Sequence, residues 1–468
     1  MTAPDAASRT PWPILALCGI LAVVAGCALF DLGLLIVQLT SAFPERMGLR
    51  GLAFTGGTLV LALAGLVVAF RAGRSRRAEI VAVGTGLALL VGLRLAFVAA
   101  VDAPLIADWL KYHQLALQVL DGGALVSDRP MGLPILMAAV YRVAGVDPRY
   151  VELVNAGAAL ATGLVVHHVA RRAWGPRAGA VALVLYAIAP AQVLMTSLFS
   201  TETLYGLALV VVVALVAGAQ PARALTGAFV LSVSQLMRTT SVALAPVTWF
   251  LAVRWRRPGQ PAAIAGLLAV AGLTLGLLPV LVGTTLSGRP SMASSSHVWW
   301  TLYIGANQET GGKWNEADMG RVGGTAGTPE SDRLARQLAL ERIGADPLGT
   351  AALYVRKVPT TWGDARYATR WVFLAMPDPD ARTVGVAALL SSIGWAATTT
   401  LAAAGAWLDR RRAARATVLV AAMVASMVLA HAVLEASARF HDPTVPILSV
   451  VAGVGLVRVV DGLRRQVP

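Results

Sequence analysis

Apolar runs long enough to cross a lipid bilayer recur along almost the whole chain. A transmembrane helix needs about 20 apolar residues. Charged residues make up only 14% of the 468 residues, whereas soluble domains carry about a quarter. The pattern predicts an all-α polytopic membrane protein of about twelve transmembrane helices. The predicted spans lie near 12–38, 52–70, 80–101, 149–170, 177–197, 199–219, 222–238, 240–254, 261–286, 384–407, 415–436 and 443–460.

The net charge of +14 comes from arginines that cluster in short segments between apolar runs, as in Arg71–Arg77, Arg254–Arg257 and Arg410–Arg415. Short basic loops are typical of the cytoplasmic side of a membrane protein. We therefore expect the lipid bilayer, and no nucleic acid, as a partner. The alternation of basic loops predicts a multi-pass protein with both termini in the cytoplasm. We expect it in the plasma (inner) membrane.

The same alternation predicts which segments lie outside. Residues 1–78 are expected to form an N-terminal pair of extra helices, and residues 79–286 a membrane core whose external loop, 102–149, carries interfacial helices. Residues 287–382 are expected to form one long external loop with short amphipathic helices, and residues 383–468 the C-terminal transmembrane helices. We expect function at the external, non-cytoplasmic face.

The external loop 102–149 holds the most informative stretch, Asp108-Trp109-Leu110-Lys111-Tyr112-His113, followed by Arg129-Pro130-Met131-Gly132-Leu133-Pro134. A carboxylate just outside a membrane helix, in a partly dehydrated pocket, suits a general base. Alternatively, Asp108 caps an interfacial helix and pairs with Lys111 three residues later. The residue pattern leaves both interpretations open.

The order of Asp108, Tyr112, Ala116, Gly122 and the segment Pro130–Pro134 resembles the first external loop of the GT-C membrane glycosyltransferases. The similarity is to bacterial relatives of the protein O-mannosyltransferases and lipid A aminoarabinose transferases. It extends over roughly residues 80 to 460, through Asn155, Glu202, Met237-Arg238, Ile304–Asn307, Gly312-Lys313-Trp314, Lys357, Glu435 and Arg439-Phe440-His441.

Two departures from the family pattern matter. Trp109 stands where many members have a second acid, and Met131 and Leu133 replace a proline and a tyrosine. The first departure weakens the case for a metal held by paired carboxylates. No cofactor is implied, and a divalent metal is left open.

The resemblance implies an inverting glycosyltransferase that moves a sugar from a polyprenyl-phosphate donor to a glycan, lipid or protein acceptor. Asp108 is the implied general base. Cations that would bind the donor phosphate are Arg238, Arg439, Lys111 and Arg129. Substrate-binding candidates are Tyr112, His113, Glu202, Lys313, Trp314, Glu435 and His441. No Gly-rich nucleotide motif occurs, which suits a donor whose leaving group is a lipid phosphate.

Other interpretations stay open. Arg238 and Arg439 could snorkel to the interface, Glu202 could cap a helix, and Trp314 could belong to an interfacial aromatic belt. For the whole chain, the alternatives are a transporter or flippase of lipid-linked sugars and a non-catalytic scaffold that binds polyprenyl lipids. Transporters place their polar sites near the membrane midplane in broken helices, whereas most notable polar residues here are predicted on one face.

Overall fold

The computed structural model describes residues 12–42, 49–101, 105–123, 127, 129–218, 220–255, 261–286, 298–322, 329–374, 381–412 and 414–466. Within these ranges every regular element is a helix. The helices are α1 Trp12–Ala42, α2 Leu49–Phe70, α3 Arg76–Ala100, α4 Ala107–Leu120, α5 Gly132–Ala144, α6 Tyr150–Trp174, α7 Pro176–Ala187, α8 Pro190–Leu194, α9 Glu202–Val216, α10 Pro221–Val233, α11 Ala245–Arg254, α12 Ala262–Leu286, α13 Val298–Gly305, α14 Glu316–Val322, α15 Pro329–Ala345, α16 Pro347–Gly363, α17 Tyr367–Leu374, α18 Ala381–Asp409, α19 Arg415–Val433 and α20 Val445–Arg464. Short 3-10 helices lie at Met195–Ser197, Ser234–Leu236, Thr239–Leu244 and Ala438–Thr444.

Six stretches of the described chain are long and apolar enough to cross a membrane. They are Trp12–Ile36, Arg76–Ala100, Tyr150–Trp174, Thr383–Asp409, Arg415–Val433 and Ala438–Arg464. A seventh arises if α7 and the segment Pro190–Ser197, which meet at a bend of 59°, form one span. The prediction of an all-helical, multi-pass membrane protein is confirmed for these residues. The count of twelve spans stays a prediction.

The two predicted external segments are also helical where they are described. The first contains α4 and α5, and the second contains α13 to α17. In the second segment α15 ends at Ala345 and α16 begins at Pro347, where the Asp346 carboxylate accepts a hydrogen bond from the Gly349 amide (2.9 Å) and caps α16. Residues 287–297, 323–328 and 375–380 of the second segment lie outside the described residues.

The centre of the bundle is formed by α7, which is buried from Ala178 to Ala187, and by the first half of α20, which is buried from Val445 to Gly455. Helix α20 lies against α18 at unusually close range, because a Cβ on Gly455 would collide with the Leu401 carbonyl oxygen. Only glycine permits this backbone approach. The start of α20 and the preceding 3-10 helix Ala438–Thr444 lie close to α9, where a Cβ on Gly206 would be 3.2 Å from Pro446 and 3.3 Å from the Pro443 carbonyl oxygen.

The bend between α7 and α8 is held by a buried arginine. The Arg94 guanidinium donates to the carbonyl oxygens of Leu90 (3.2 Å) and Ala187 (3.1 Å) and lies over the Tyr186 ring. Ala187 is the last residue of α7, so the cation meets the negative end of that helix. Beyond the bend, Asn155 donates to the carbonyls of Thr196 (3.1 Å) and Leu198 (2.9 Å), which positions the start of α9.

The two ends of the bundle differ in charge pattern. At the end that carries the basic loops, Arg171 pairs with Glu79, Arg177 with Asp461 and Arg458 with Asp409. At the opposite end of α20 lie the loops that hold the sequence-predicted site residues. The side of the membrane that each end faces stays a prediction.

Candidate active site

Asp108 lies at the centre of the predicted site residues that come together. It sits in the first turn of α4, directly after Ala107, whose φ of +47° is a left-handed conformation in a residue other than glycine. Such a conformation costs on the order of 1 kcal/mol and is retained where the surrounding structure enforces it. The strained turn aims Asp108 away from the α4 axis toward the loop before α20.

The Asp108 carboxylate bridges two guanidinium groups. Its Oδ1 lies 2.9 Å from Arg129 and its Oδ2 accepts a hydrogen bond of 2.8 Å from Arg439. The Asp108 side chain is still 25% exposed, so a ligand can reach the carboxylate from the surface of the protein. The alternative interpretation, in which Asp108 pairs with Lys111, is wrong, since Lys111 forms no ion pair in the described part of the chain. The helix-cap interpretation is also wrong, because Ile106 occupies the N-cap position.

Arg439 is held by a residue that the sequence did not single out. It projects from the 3-10 helix Ala438–Thr444 and donates to the Tyr367 hydroxyl (3.3 Å). Its guanidinium also lies near the rings of Tyr367 (5.9 Å) and Phe440 (5.6 Å). Cations over aromatic faces are stabilised electrostatically, so the guanidinium keeps a defined orientation toward Asp108.

A second ion pair, between Arg238 and Glu202, lies next to the first. Glu202 is the first residue of α9, and Arg238 lies in the break between two short 3-10 helices. The Arg238 guanidinium is 5.0 Å from the Phe440 ring, so the same ring contacts Arg238 and Arg439. The side chains of Arg238 and Glu202 are only 10% and 4% exposed. Because Arg238 is enclosed, Arg439 and Arg129 are the arginines that a ligand reaches first.

Glu435 and Tyr112 complete the cluster. Glu435 is half-buried in the link between α19 and the 3-10 helix, and it makes no hydrogen bond or salt bridge with any described residue. Burial raises the pKa of its carboxyl, while the Arg439 charge opposes that rise. Burial and the nearby Asp108 charge raise the pKa of the Tyr112 phenol, which therefore stays protonated. Both side chains can offer hydrogen bonds to a ligand hydroxyl.

The two predicted histidines do not join the Asp108 cluster. His113 shares a hydrogen bond of 2.9 Å with the Tyr141 hydroxyl, and burial lowers its pKa. The His441 Nδ1–H donates to the Thr361 carbonyl (2.9 Å), and its ring packs on Trp395. His441 lines a cavity of about 10 Å³ that has room for one water molecule and none for a sugar.

Lys313 and Trp314 lie in the link between α13 and α14 and are exposed. Neither side chain forms an ion pair or hydrogen bond with the cluster around Asp108. Among the described residues, no group of at least three His, Cys, Asp or Glu side chains is placed so that it could hold a metal ion.

Helix α13 is attached to the site through Lys357, which lies in α16. The buried ammonium donates to the carbonyl oxygens of Gly305 (2.8 Å), Val433 (3.2 Å) and Leu434 (2.6 Å). Gly305 ends α13 and Val433 ends α19, so the charge satisfies the carbonyl ends of two helices at once. Leu434 immediately precedes Glu435. The resemblance noted for Lys357 thus falls on a residue that connects α13 to the site.

A second feature of this part of the chain, missed in the sequence, is a buried ion pair between Asp318 and Arg342 (2.9 Å). Asn307 and Asn315 also donate to the Asp318 carboxylate, at 2.8 and 2.9 Å. Burial by itself raises the pKa of Asp318, but the hydrogen bonds from Arg342 and the two asparagines outweigh it, and the pKa lies well below its usual range. The network joins α13, α14 and α15.

Asp318→Asn is expected to lower the free energy of local opening of α13–α15 by roughly 3 kcal/mol, because the buried Arg342 loses its partner. Since the folded-state pKa of Asp318 is depressed, its stabilisation is complete above the unfolded value of about 3.9 and is lost as the pH falls through the folded-state value. Hydrogen exchange of α13–α15, corrected for intrinsic rates, should therefore be flat from neutral pH to about pH 5 and rise in stronger acid.

The matched control is Glu330→Gln, which removes an exposed ion pair with Arg333 (3.0 Å) on α15. Exposed pairs of this kind contribute little, so exchange in α13–α15 should not change. Equal exchange in Asp318→Asn and in the unmodified protein would contradict the role given to Asp318.

Comparison with known proteins leaves the family open. No family model matches the chain, and no curated protein sequence matches it. Among solved structures, the archaeal oligosaccharyltransferase AglB from Archaeoglobus fulgidus, in complex with an inhibitory peptide and a dolichol-phosphate, is similar over 81% of this chain and 51% of its own, with 14% sequence identity and a TM-score of 0.38. The chain thus spans about half the length of that protein. Similarity of this degree establishes neither a shared family nor a shared activity.

Proposed function

We propose that this chain is an inverting GT-C-type membrane glycosyltransferase, which moves a sugar from a polyprenyl-phosphate donor to an acceptor at the non-cytoplasmic face. The observation that carries the proposal is the reachable Asp108 carboxylate held between Arg129 and Arg439. A glycosyl transfer of this kind needs a base for the acceptor hydroxyl and cations for the departing phosphate. Both lie within one cluster here.

In the proposed reaction Asp108 takes the proton from the acceptor hydroxyl as that oxygen bonds to the anomeric carbon. The bond from the anomeric carbon to the phosphate oxygen breaks on the opposite face, which inverts the configuration. The polyprenyl phosphate leaves with one more negative charge. Fixed guanidinium groups stabilise such a developing charge, and their fork geometry matches phosphate oxygens. Arg439 and Arg129 take this role first, with the enclosed Arg238 behind them.

The ion pairs of Asp108 with Arg129 and Arg439 support a proposed order of substrate binding. A carboxylate that accepts hydrogen bonds from two guanidinium groups is a poor base. The donor phosphate carries the same kind of charge and competes for the same guanidinium groups, so its arrival releases Asp108. The donor is therefore proposed to bind before the acceptor, and the base becomes active only when the donor is present.

The remaining groups are assigned to substrate contacts. Tyr112 and Glu435 are proposed to bind sugar or acceptor hydroxyls, since both lie against the Asp108 cluster. Lys313 and Trp314 are proposed to contact the acceptor from the exposed loop. The acceptor is a glycan, lipid or protein.

The test is incubation of the purified protein, in lipid nanodiscs, with a panel of polyprenyl-phosphate sugars and a mixture of cell-envelope acceptors. Mass spectrometry should show loss of the sugar from one donor and the matching mass gain on an acceptor, and Asp108→Asn should slow both by about 10²-fold or more. Failure of every donor in the panel to bind or react would contradict the proposal.

A second candidate function, transport or flipping of lipid-linked sugars, is favoured by one observation. The bend of 59° between α7 and the segment Pro190–Ser197 forms a broken helix, which is a common feature of transporters. A flippase moves the donor across the bilayer and leaves its mass unchanged. Donor movement in sealed vesicles without any covalent product would favour this function over transfer.

A further inference from the structure

Helix α1 carries an acidic residue inside a membrane span. Asp31 lies within the apolar stretch Trp12–Ile36, and the helix buries Leu21, Val24 and Ala28 against the rest of the bundle. An ionisable side chain in a span is costly and usually has a defined partner and a function. We therefore expect Asp31 to have a polar partner and a role beyond helix packing.

The partner of Asp31 is Arg366, in the turn between α16 and α17. The Arg366 guanidinium donates to Asp31 Oδ1 (3.1 Å) and to Asp364 Oδ1 (2.7 Å). The Arg366 backbone amide also donates to Asp364 Oδ1 (2.9 Å). One arginine thus ties α1 to the turn that starts α17, and two carboxylates hold it there.

A glycine allows α1 to reach this turn. Gly363 is the last residue of α16, and a Cβ at that position would lie 2.9 Å from the Cys27 carbonyl oxygen and 3.3 Å from the Asp31 Cβ. Real Cβ atoms rarely come so close to a carbonyl oxygen. The close contact and the ion pair are separate observations, and both place α1 directly against the α16–α17 turn.

Helix α17 then leads to the candidate active site. Its first residue, Tyr367, directly follows Arg366 and accepts the hydrogen bond from Arg439. Four residues later, the Trp371 ring meets the ring of Trp109 edge-on at 5.2 Å. Trp109 is the neighbour of Asp108. Helix α17 therefore contacts Arg439 directly, and it contacts Asp108's neighbour, Trp109.

We propose that Asp31 is a positioning residue for the reaction: through Arg366 it holds α17 so that Tyr367 orients the Arg439 guanidinium toward the donor phosphate. The inference rests on the proposed function for its role in catalysis. It assigns a function to the first helix, whose sequence lies outside the stretch that resembles GT-C enzymes.

The test uses the full chain in nanodiscs with two readouts. The first is hydrogen exchange of residues 367–374, which does not depend on any activity. The second is the affinity for undecaprenyl phosphate, measured by native mass spectrometry. Asp31→Asn should speed hydrogen exchange in α17. It should also weaken binding of undecaprenyl phosphate about tenfold, which is the usual size of an effect transmitted through contacting side chains. Asp461→Asn, which breaks the Arg177–Asp461 pair at the opposite end of α20, is the matched control and should change neither readout.

A double-mutant cycle separates positioning from general damage. If Asp31 acts through Tyr367, then Tyr367→Phe should lower the affinity for undecaprenyl phosphate. The double variant, Asp31→Asn with Tyr367→Phe, should then lose no more affinity than the single variant that loses more. Asp31→Glu, which keeps the charge, should retain most of the affinity. If Asp31→Asn is not recovered folded, Arg366→Lys replaces it in both measurements, because lysine keeps the positive charge but lacks the fork that holds Asp31 and Asp364.

The outcomes are distinct. Unchanged exchange in α17 and unchanged affinity in Asp31→Asn, with the unmodified protein binding the lipid phosphate, would overturn the inference alone. Fully additive losses in the cycle would also overturn it, since Asp31 would then act elsewhere. An unmodified protein that binds no undecaprenyl phosphate would overturn the proposed function, and with it the catalytic role of Asp31.

Discussion

Replacement of Asp108 by asparagine should lower the rate of sugar transfer by about 10²- to 10⁴-fold, the usual contribution of a general base. Asparagine keeps the shape of the side chain and cannot accept the proton. The same change should not weaken donor binding, and is expected to strengthen it, because it removes the negative charge that competes with the donor phosphate for Arg129 and Arg439. Transfer rate at saturating donor and donor affinity, measured separately, check the two parts.

The control for this variant is Asp461→Asn, which makes the same chemical change in an ion pair at the other end of the bundle. It should leave both quantities unchanged. Full transfer by Asp108→Asn, at normal protein level, would exclude Asp108 as the base. A loss of donor affinity equal to the loss of rate would instead assign Asp108 to structure, because the competition between carboxylate and phosphate would be absent.

Arg439→Ala should weaken binding of the polyprenyl-phosphate donor by about 30-fold or more, since loss of a guanidinium from a partly buried charge pair costs roughly 2 kcal/mol or more. Arg439→Lys should recover only part of the affinity, because an ammonium keeps the charge and lacks the fork that holds two phosphate oxygens. The affinity for undecaprenyl phosphate in nanodiscs measures both effects without reference to turnover.

Arg458→Gln is the matched control, since Arg458 pairs with Asp409 (2.9 Å) at the end of the bundle that carries the basic loops. It should bind the donor normally. If Arg439→Ala binds the donor as well as the unmodified protein does, Arg439 serves only to hold Asp108, and the phosphate must be bound by Arg129 or Arg238.

Some residues of this site can be predicted from the sequence because the pattern that marks them is local. The acid of Asp108 just beyond an apolar run, beside aromatic residues, marks a position where the chain leaves the membrane. Arg439 and Glu435 stand in a short polar interruption between the last two spans. Such signals identify which residues face the same end of the bundle, since alternating spans return the chain to one side.

The pairing of those residues is not legible in the same way. The sequence offered Lys111 as the partner of Asp108 because it lies one helical turn away. The structure instead places Arg129 and Arg439 on the carboxylate, and Lys111 makes no ion pair with described residues. Tyr367 and Arg366 carried no signal at all. Asp31 is visible in the sequence as an acid within an apolar run. Its role could be inferred only after the structure showed that Arg366 is its partner.

The helical, multi-pass character of the chain can be predicted from sequence, because a span needs only a local run of apolar residues and a helix satisfies the hydrogen bonds of its own backbone. Tertiary structure alone decided that Asp108 rests between two arginines, that Arg238 is enclosed by Glu202, and that the first helix reaches the site through Arg366. Partner choice among charged side chains depends on which helices pack together, and that packing depends on contacts such as Gly455 against Leu401 and Gly363 against Cys27. These contacts join residues far apart in the chain, so no local pattern encodes them.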